Sequence, residues 1–235
     1  MNPHKDLQAA LEAIQQKWGV KALHLAHQME NRSYLSTGFP ALDQLLGGGF
    51  PRGRLIELFG QPTSGVTTLA LRVMAVVQQQ QEIVVYLDLP QTFDPEYAAV
   101  CQVQVNELLL VRPQQGMDAT GILFDVVTSG IPGIVVVNAL TPLPPAERKP
   151  LLAALERIQA ALARSRCVLL VLTSPQTPLT SPSAALRLRV ERESWMEAGE
   201  EVRGYQVKVT VLKHKAAAEG QNVHLFIRLD GGEET

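Results

Sequence analysis

Gly60-Gln61-Pro62-Thr63-Ser64-Gly65-Val66-Thr67-Thr68 is the stretch on which the fold turns. An apolar run at 54–59 enters it and apolar residues at helical spacing leave it over 66–80. The spacing therefore predicts a strand, a glycine-rich loop and a helix in immediate succession, with the pattern GxxxxG-x-[ST]. In that context loop N–H groups and the helix N-terminus can surround phosphate oxygens, and the Thr67 hydroxyl can reach magnesium. The place between Gly65 and Thr67, where such loops carry a lysine for the outer phosphates, holds Val66. A branched apolar side chain supplies neither charge nor donor.

Working outward, short apolar runs at 54–59, 83–88, 108–111, 134–138 and 168–173 alternate with helical patterns at 66–80, 95–100, 117–129 and 149–165. Such alternation builds a parallel sheet with helices on both faces. Beyond Ser183 the texture changes. Leu186, Leu188 and Val190 alternate with arginines, and 206–213 and 223–229 also alternate, which predicts antiparallel strands extending one sheet edge. Pro142, Pro144, Pro145, Pro175, Pro178 and Pro182 fall in two clusters after strands, as expected of short extended loops.

Ahead of this body, Leu7, Ala10, Leu11, Ile14 and Trp18 mark one apolar face of a helix ending near Gly19. A polar connector at 27–33 follows. The expected organisation is an N-terminal helix and linker at 1–33, a core at 34–230 and a polar tail at 231–235.

The 235 residues suffice for one α/β domain and a small appendage. With 46% hydrophobic and 19% charged residues, the chain can fill a core. A net charge of −2 lacks the basic excess typical of phosphate-backbone binders, so DNA binding would need a local patch. The start shows no secretory pattern and the apolar runs are far shorter than the ~20 residues that cross a bilayer, so a cytoplasmic protein is expected. Cys101 and Cys167 stand apart without metal-ligand spacing and read as buried thiols.

Ser36-Thr37-Gly38-Phe39-Pro40-Ala41-Leu42-Asp43, followed by Leu46-Gly47-Gly48-Gly49-Phe50-Pro51-Arg52-Gly53-Arg54, closely resembles the segment before the phosphate loop in RecA-family recombinases. Leu87-Asp88 with Phe93-Asp94-Pro95-Glu96-Tyr97-Ala98 is similar to the stretch that carries that family's catalytic glutamate and adenine contacts. Ser129-Gly130 with Ile134-Val135-Val136-Val137-Asn138 resembles its Walker B strand. Val207-Lys208-Val209-Thr210-Val211-Leu212-Lys213-His214-Lys215 resembles the segment whose two lysines reach a neighbouring subunit's nucleotide. The likeness runs from about Asp6 to Leu229.

The resemblance implies an α/β, RecA-like P-loop NTPase fold. It has a central, mostly parallel sheet with antiparallel edge strands, flanked by helices, plus the N-terminal helix. It leaves the cofactor open: ATP and magnesium, if bound, would be held weakly on a degenerate loop of Gly60, Ser64, Gly65, Val66, Thr67 and Thr68, with Thr67 as the metal ligand if there is one. Asp94 and Tyr97 fall on the adenine contacts, although Asp94-Pro95 also reads as an ordinary helix start. Lys213 and Lys215 fall on the inter-subunit lysines, or are alternate exposed residues of an edge strand. The catalytic glutamate falls on Pro90 and the Walker B aspartate on Asn138. With Val66, the charge clamp, the metal organiser and the water-activating acid are all replaced, and no catalytic residue is expected.

Two stretches, 141–149 and 174–183, correspond to the family's DNA loops but are short and proline-rich. Arg187, Arg189, Arg192 and Arg203 read as a solvated face or a modest basic patch. Leu110-Val111-Arg112-Pro113 and the stretch 181–189 are also similar to the ImuA family, degenerate RecA relatives linked to translesion synthesis. The expected role is a non-hydrolysing accessory or regulatory factor in DNA repair or the SOS mutagenesis response, acting through protein contacts. Its partners would be RecA, another repair or translesion protein, or further copies of itself through Leu7, Leu11, Ile14 and Trp18. Two alternatives are an ATP-dependent recombinase in which Lys213 or Lys215 of a neighbour restores the charge, and a nucleotide-independent DNA-binding module.

Overall fold

The computed structural model describes residues 34–114, 117–175, 183–198, 201–214 and 219–228. The expected N-terminal helix, the tail and Lys215 lie outside them. Short strands β1 (Tyr34–Leu35) and β2 (Phe50–Pro51) bracket helix α1 (Pro40–Leu46). The body is an eight-stranded sheet in the order β10-β9-β8-β3-β7-β6-β4-β5. These strands are β3 (Leu55–Gly60), β4 (Val84–Asp88), β5 (Leu108–Val111), β6 (Ile134–Ala139), β7 (Val168–Thr173), β8 (Leu186–Ala198), β9 (Glu201–His214) and β10 (Asn222–Arg228).

From β8 through β5 every pairing is parallel, while β8–β9 and β9–β10 are antiparallel. The expected mostly parallel sheet with antiparallel edge strands is therefore present. One detail differs from the alternation reading: β8 joins the core parallel to β3, so only β9 and β10 form the antiparallel extension.

Strand periodicity explains the layering. Ile56, Leu58, Tyr86, Val136 and Leu170 face one side and pack under Leu69, Val73, Met74 and Val77 of helix α2 (Val66–Gln79). Leu55, Val85, Leu87, Val135 and Leu169 face the other. There Leu123 and Val127 of α4 (Ala119–Thr128) and Leu151 and Leu155 of α5 (Pro145–Arg157) cover them. Helix α3 (Pro95–Val100) adds Ala98 to the first of these layers, and the short α6 (Gln159–Leu162), after α5, adds Leu162 to the second. Both faces of the central strands are buried, which is why their sequences are nearly continuous in apolar residues.

Boundaries moved where local capping decided them. The pattern at 117–129 shortens to α4 because the Asp118 carboxylate accepts from the N–H groups of Thr120 and Gly121 and caps the helix there. The helix expected at 149–165 instead begins at Pro145, whose missing N–H is no loss in a first turn, and so takes in Pro150. Pro145 therefore starts a helix, where the sequence pattern had placed it in an extended loop. Both cysteines are free and buried, and burial raises their pKa values, Cys167 to about 12. Among the described residues no helix is long and apolar enough to cross a membrane.

Candidate functional site

The glycine-rich loop leaves β3 at Gly60 and returns as α2 at Val66. Gly65 is the N-cap with φ 98, and a Cβ there would meet Val207 at 3.0 Å and Tyr205 at 3.2 Å. A Cβ on Gly60 would collide with the Ser64 hydroxyl and lie 2.7 Å from Val66. Both glycines are required by close approach rather than by the turn alone. Within the loop, the Ser64 N–H donates to the Gln61 carbonyl at 3.1 Å, and Thr63 adopts φ 65, an uncommon conformation for a β-branched residue.

Val66 is only 3% exposed and belongs to the core cluster under the sheet. The position expected to carry the phosphate charge therefore presents a hydrocarbon to the core. Thr67 is half-buried and Thr68 is buried. The Thr68 hydroxyl lies 2.6 Å from the Tyr97 hydroxyl and accepts from the Tyr205 hydroxyl at 2.8 Å. Burial raises the pKa of both phenols, so neither is a base near neutrality. Tyr205→Phe should lower stability by about 1 kcal/mol, since Thr68 keeps Tyr97 as partner. Urea denaturation reads this, and an unchanged midpoint would show that the bond contributes nothing.

Over the loop lies a cavity of ≈ 520 Å³. Residues 61–68 line it together with Tyr97, Leu140, Ser174, Arg192, Trp195 and Tyr205. Trp195 meets Tyr205 edge-on at 5.5 Å, and the Arg192 guanidinium sits 4.4 Å above the Trp195 ring. Sequence reading had not brought Trp195 and Tyr205 to the site, and had placed Arg192 only in an arginine stripe. No local signal connects residues this far from the loop. They arrive because β8 pairs with β3 in the register Gly60↔Val190, which carries the β8–β9 hairpin past the loop.

The positions onto which the resemblance puts the family's catalytic acids lie outside the cavity lining. Asp88 at the end of β4 is 0% exposed and accepts from the Thr92 N–H at 3.1 Å, the Phe93 N–H at 2.9 Å and Arg112 Nε at 3.1 Å. Asn138 Nδ2 donates to Asp88 at 3.4 Å and to Thr92 Oγ1 at 3.2 Å, and Asn138 Oδ1 accepts from the Leu140 N–H. Arg112 also donates to the Phe93 carbonyl at 2.9 Å. This clasp pins the segment that carries half-exposed Pro90, and neither Asp88 nor Asn138 lines the cavity.

Of the remaining sequence candidates, Asp94 caps α3, with Oδ1 accepting from the N–H groups of Glu96 and Tyr97. Lys213 is partly buried near the end of β9, opposite Arg187. As β9 lies between β8 and β10, it is not an edge strand. The arginine stripe is also not uniform. Arg187 Nε donates to the buried Glu57 carboxylate at 2.6 Å, so it is a core ion pair rather than part of a solvated face.

A parallel sheet with this loop between its central strand β3 and a covering helix defines a P-loop-type α/β domain. The family model described as the RecA N-terminal domain matches residues 5–152. A RecA protein of Roseiflexus sp. (strain RS-1) is 32% identical over 92% of this chain and 71% of its own length. That of Bacillus licheniformis is 32% identical over 90% and 70%. The chain belongs to the RecA family. A crystal structure of the RadB recombinase shares the fold, with a TM-score of 0.65 at 22% identity, covering 84% of this chain and 97% of that one.

The family's nucleotide and magnesium can be tested against the residues present. The phosphate end fits: the loop is too tight for side chains at Gly60 and Gly65, and the Ser64 hydroxyl is buried in it with no hydrogen-bond partner among the described residues. The magnesium end does not fit. Among the described residues no carboxylate lines the cavity, and Asp88 is enclosed by four donors.

Proposed function

We propose that this RecA-family protein is a non-hydrolysing accessory or regulatory factor in DNA repair or SOS mutagenesis, working through protein contacts. The observation that carries this reading is the burial of Val66 in the core at the position where phosphoryl transfer requires a cation. Pro90 has no proton to exchange, and Asn138 spends its amide on Asp88 and Thr92. Each loss removes a different part of the reaction, so restoring one leaves the barrier in place. RecA itself, or another repair or translesion protein, is the partner this reading favours, engaged through the apolar face of Leu7, Leu11, Ile14 and Trp18. The short similarity to the ImuA family points to the same setting.

A steady-state ATPase assay with and without single-stranded DNA should stay at the buffer baseline, and Thr67→Ala should leave it there. Added to RecA assembling on single-stranded DNA, the protein should change the rate or extent of filament growth. Turnover that Thr67→Ala abolishes would instead support the ATP-dependent recombinase. A protein that leaves assembly untouched and associates with no repair protein would remove the proposal.

A further inference from the structure

We infer that the cavity over the loop is a metal-independent phosphate site whose positive charge comes from Arg192 on β8. A phosphate brought out of water must have its charge met, and loop amides alone supply only a fraction of it. Val66 supplies none. Among the described residues lining the cavity, Arg192 alone is charged. It makes no ion pair among the described residues, its guanidinium being stacked on Trp195 instead.

That stack is held in place from the loop outward. Thr68 on α2 accepts from Tyr205, Tyr205 meets Trp195 edge-on, and Trp195 carries Arg192 on its face. Stacking uses the face of the guanidinium and leaves its N–H edge for an oxyanion, the arrangement that suits arginine and not lysine. The Ser64 hydroxyl is buried in the curl of the loop beside Gly60 without a hydrogen-bond partner among the described residues, a second, independent polar group in the cavity lining. Helix α2 presents its N-terminus to the same cavity, whose ≈ 520 Å³ suffices for a small phosphorylated ligand. Among the described residues lining the cavity there is no carboxylate to hold a divalent ion, so Arg192 takes the neutralising part that magnesium plays in hydrolysing members of this fold.

The inference rests on the reading of the site as non-hydrolysing, yet fails separately from it. ATP turnover would overturn that reading, whereas absence of binding would overturn this one. The experiment is calorimetric titration of the full chain with pyrophosphate and with ADP, each in EDTA and in magnesium. Trp195 fluorescence is followed in parallel in a Trp18→Phe background.

Both probes should bind in EDTA, with affinity changed less than about threefold by magnesium, and Arg192→Gln should weaken binding ~10-fold or more, the loss expected for a charge-assisted bond. Arg192→Lys should recover only part of that. ADP tighter than pyrophosphate supports a nucleotide as ligand, and equal affinity supports a free phosphate. Binding that needs magnesium, binding indifferent to Arg192→Gln, or no heat and no fluorescence change with either probe would overturn the inference.

Discussion

Arg187→Ala is expected to lower stability by about 3 kcal/mol, although the residue sits in a row of arginines that reads as a solvated face. Its partner Glu57 is 1% exposed, and without the guanidinium the carboxylate keeps, among the described residues, only the Thr173 hydroxyl, at 2.8 Å, as a donor. A buried charge left unpaired costs far more than the pair contributes. Arg189→Ala should cost no more than about 0.5 kcal/mol. Its contact with Glu191 at 3.1 Å lies between side chains 42% and 47% exposed, and its Nε makes no hydrogen bond there. Replacing Glu57 and Arg187 together by leucine should recover most of the loss. Urea denaturation of the four proteins decides the matter, and equal midpoints for Arg187→Ala and Arg189→Ala would refute the core ion pair. A drop in DNA affinity on changing Arg187 would accordingly report on folding first, so Arg189 is the informative probe of a basic patch.

Asp88→Ala should be at least as damaging, at about 3–5 kcal/mol, because one fully buried carboxylate serves four donors. Its removal strands the N–H groups of Thr92 and Phe93, leaves the Asn138 amide with Thr92 Oγ1 alone, and releases the turn that carries Pro90. Asp88→Asn keeps one acceptor and should lose about half as much. Arg112→Ala should cost less again, since its side chain is 42% exposed and Asp88 would retain three donors. Chemical denaturation of these variants measures the clasp, and an Asp88→Ala protein within 1 kcal/mol of the parent, a loss well below that of a buried paired charge, would show that it is not structural. The clasp also explains why restoring Asn138→Asp alone should not create a metal site: the new carboxylate would sit beside Asp88 in a sealed environment, where two like charges repel.

Much of this was legible from residue order. The strand–loop–helix at 54–80 could be read because periodicity and glycine spacing act over a few neighbouring residues, and the observed strands at Leu108–Val111 and Val168–Thr173 coincide with the apolar runs. Helix starts were less legible: Asp118 and Pro145 decided them through single capping interactions that a periodic pattern averages out.

Residue order by itself determined that the chain forms a P-loop sheet of the RecA type, with Val66, Pro90 and Asn138 at positions where the family resemblance leads one to expect a cation and two acids. Tertiary structure alone decided that Arg187 neutralises Glu57, 130 residues away, that Asp88 is sealed, and that Arg192 and Trp195 overlook the loop. The reason is register. Which residue of β8 lies beside Gly60 is set by packing both sheet faces at once, and a shift of one residue would turn Arg187 away from Glu57.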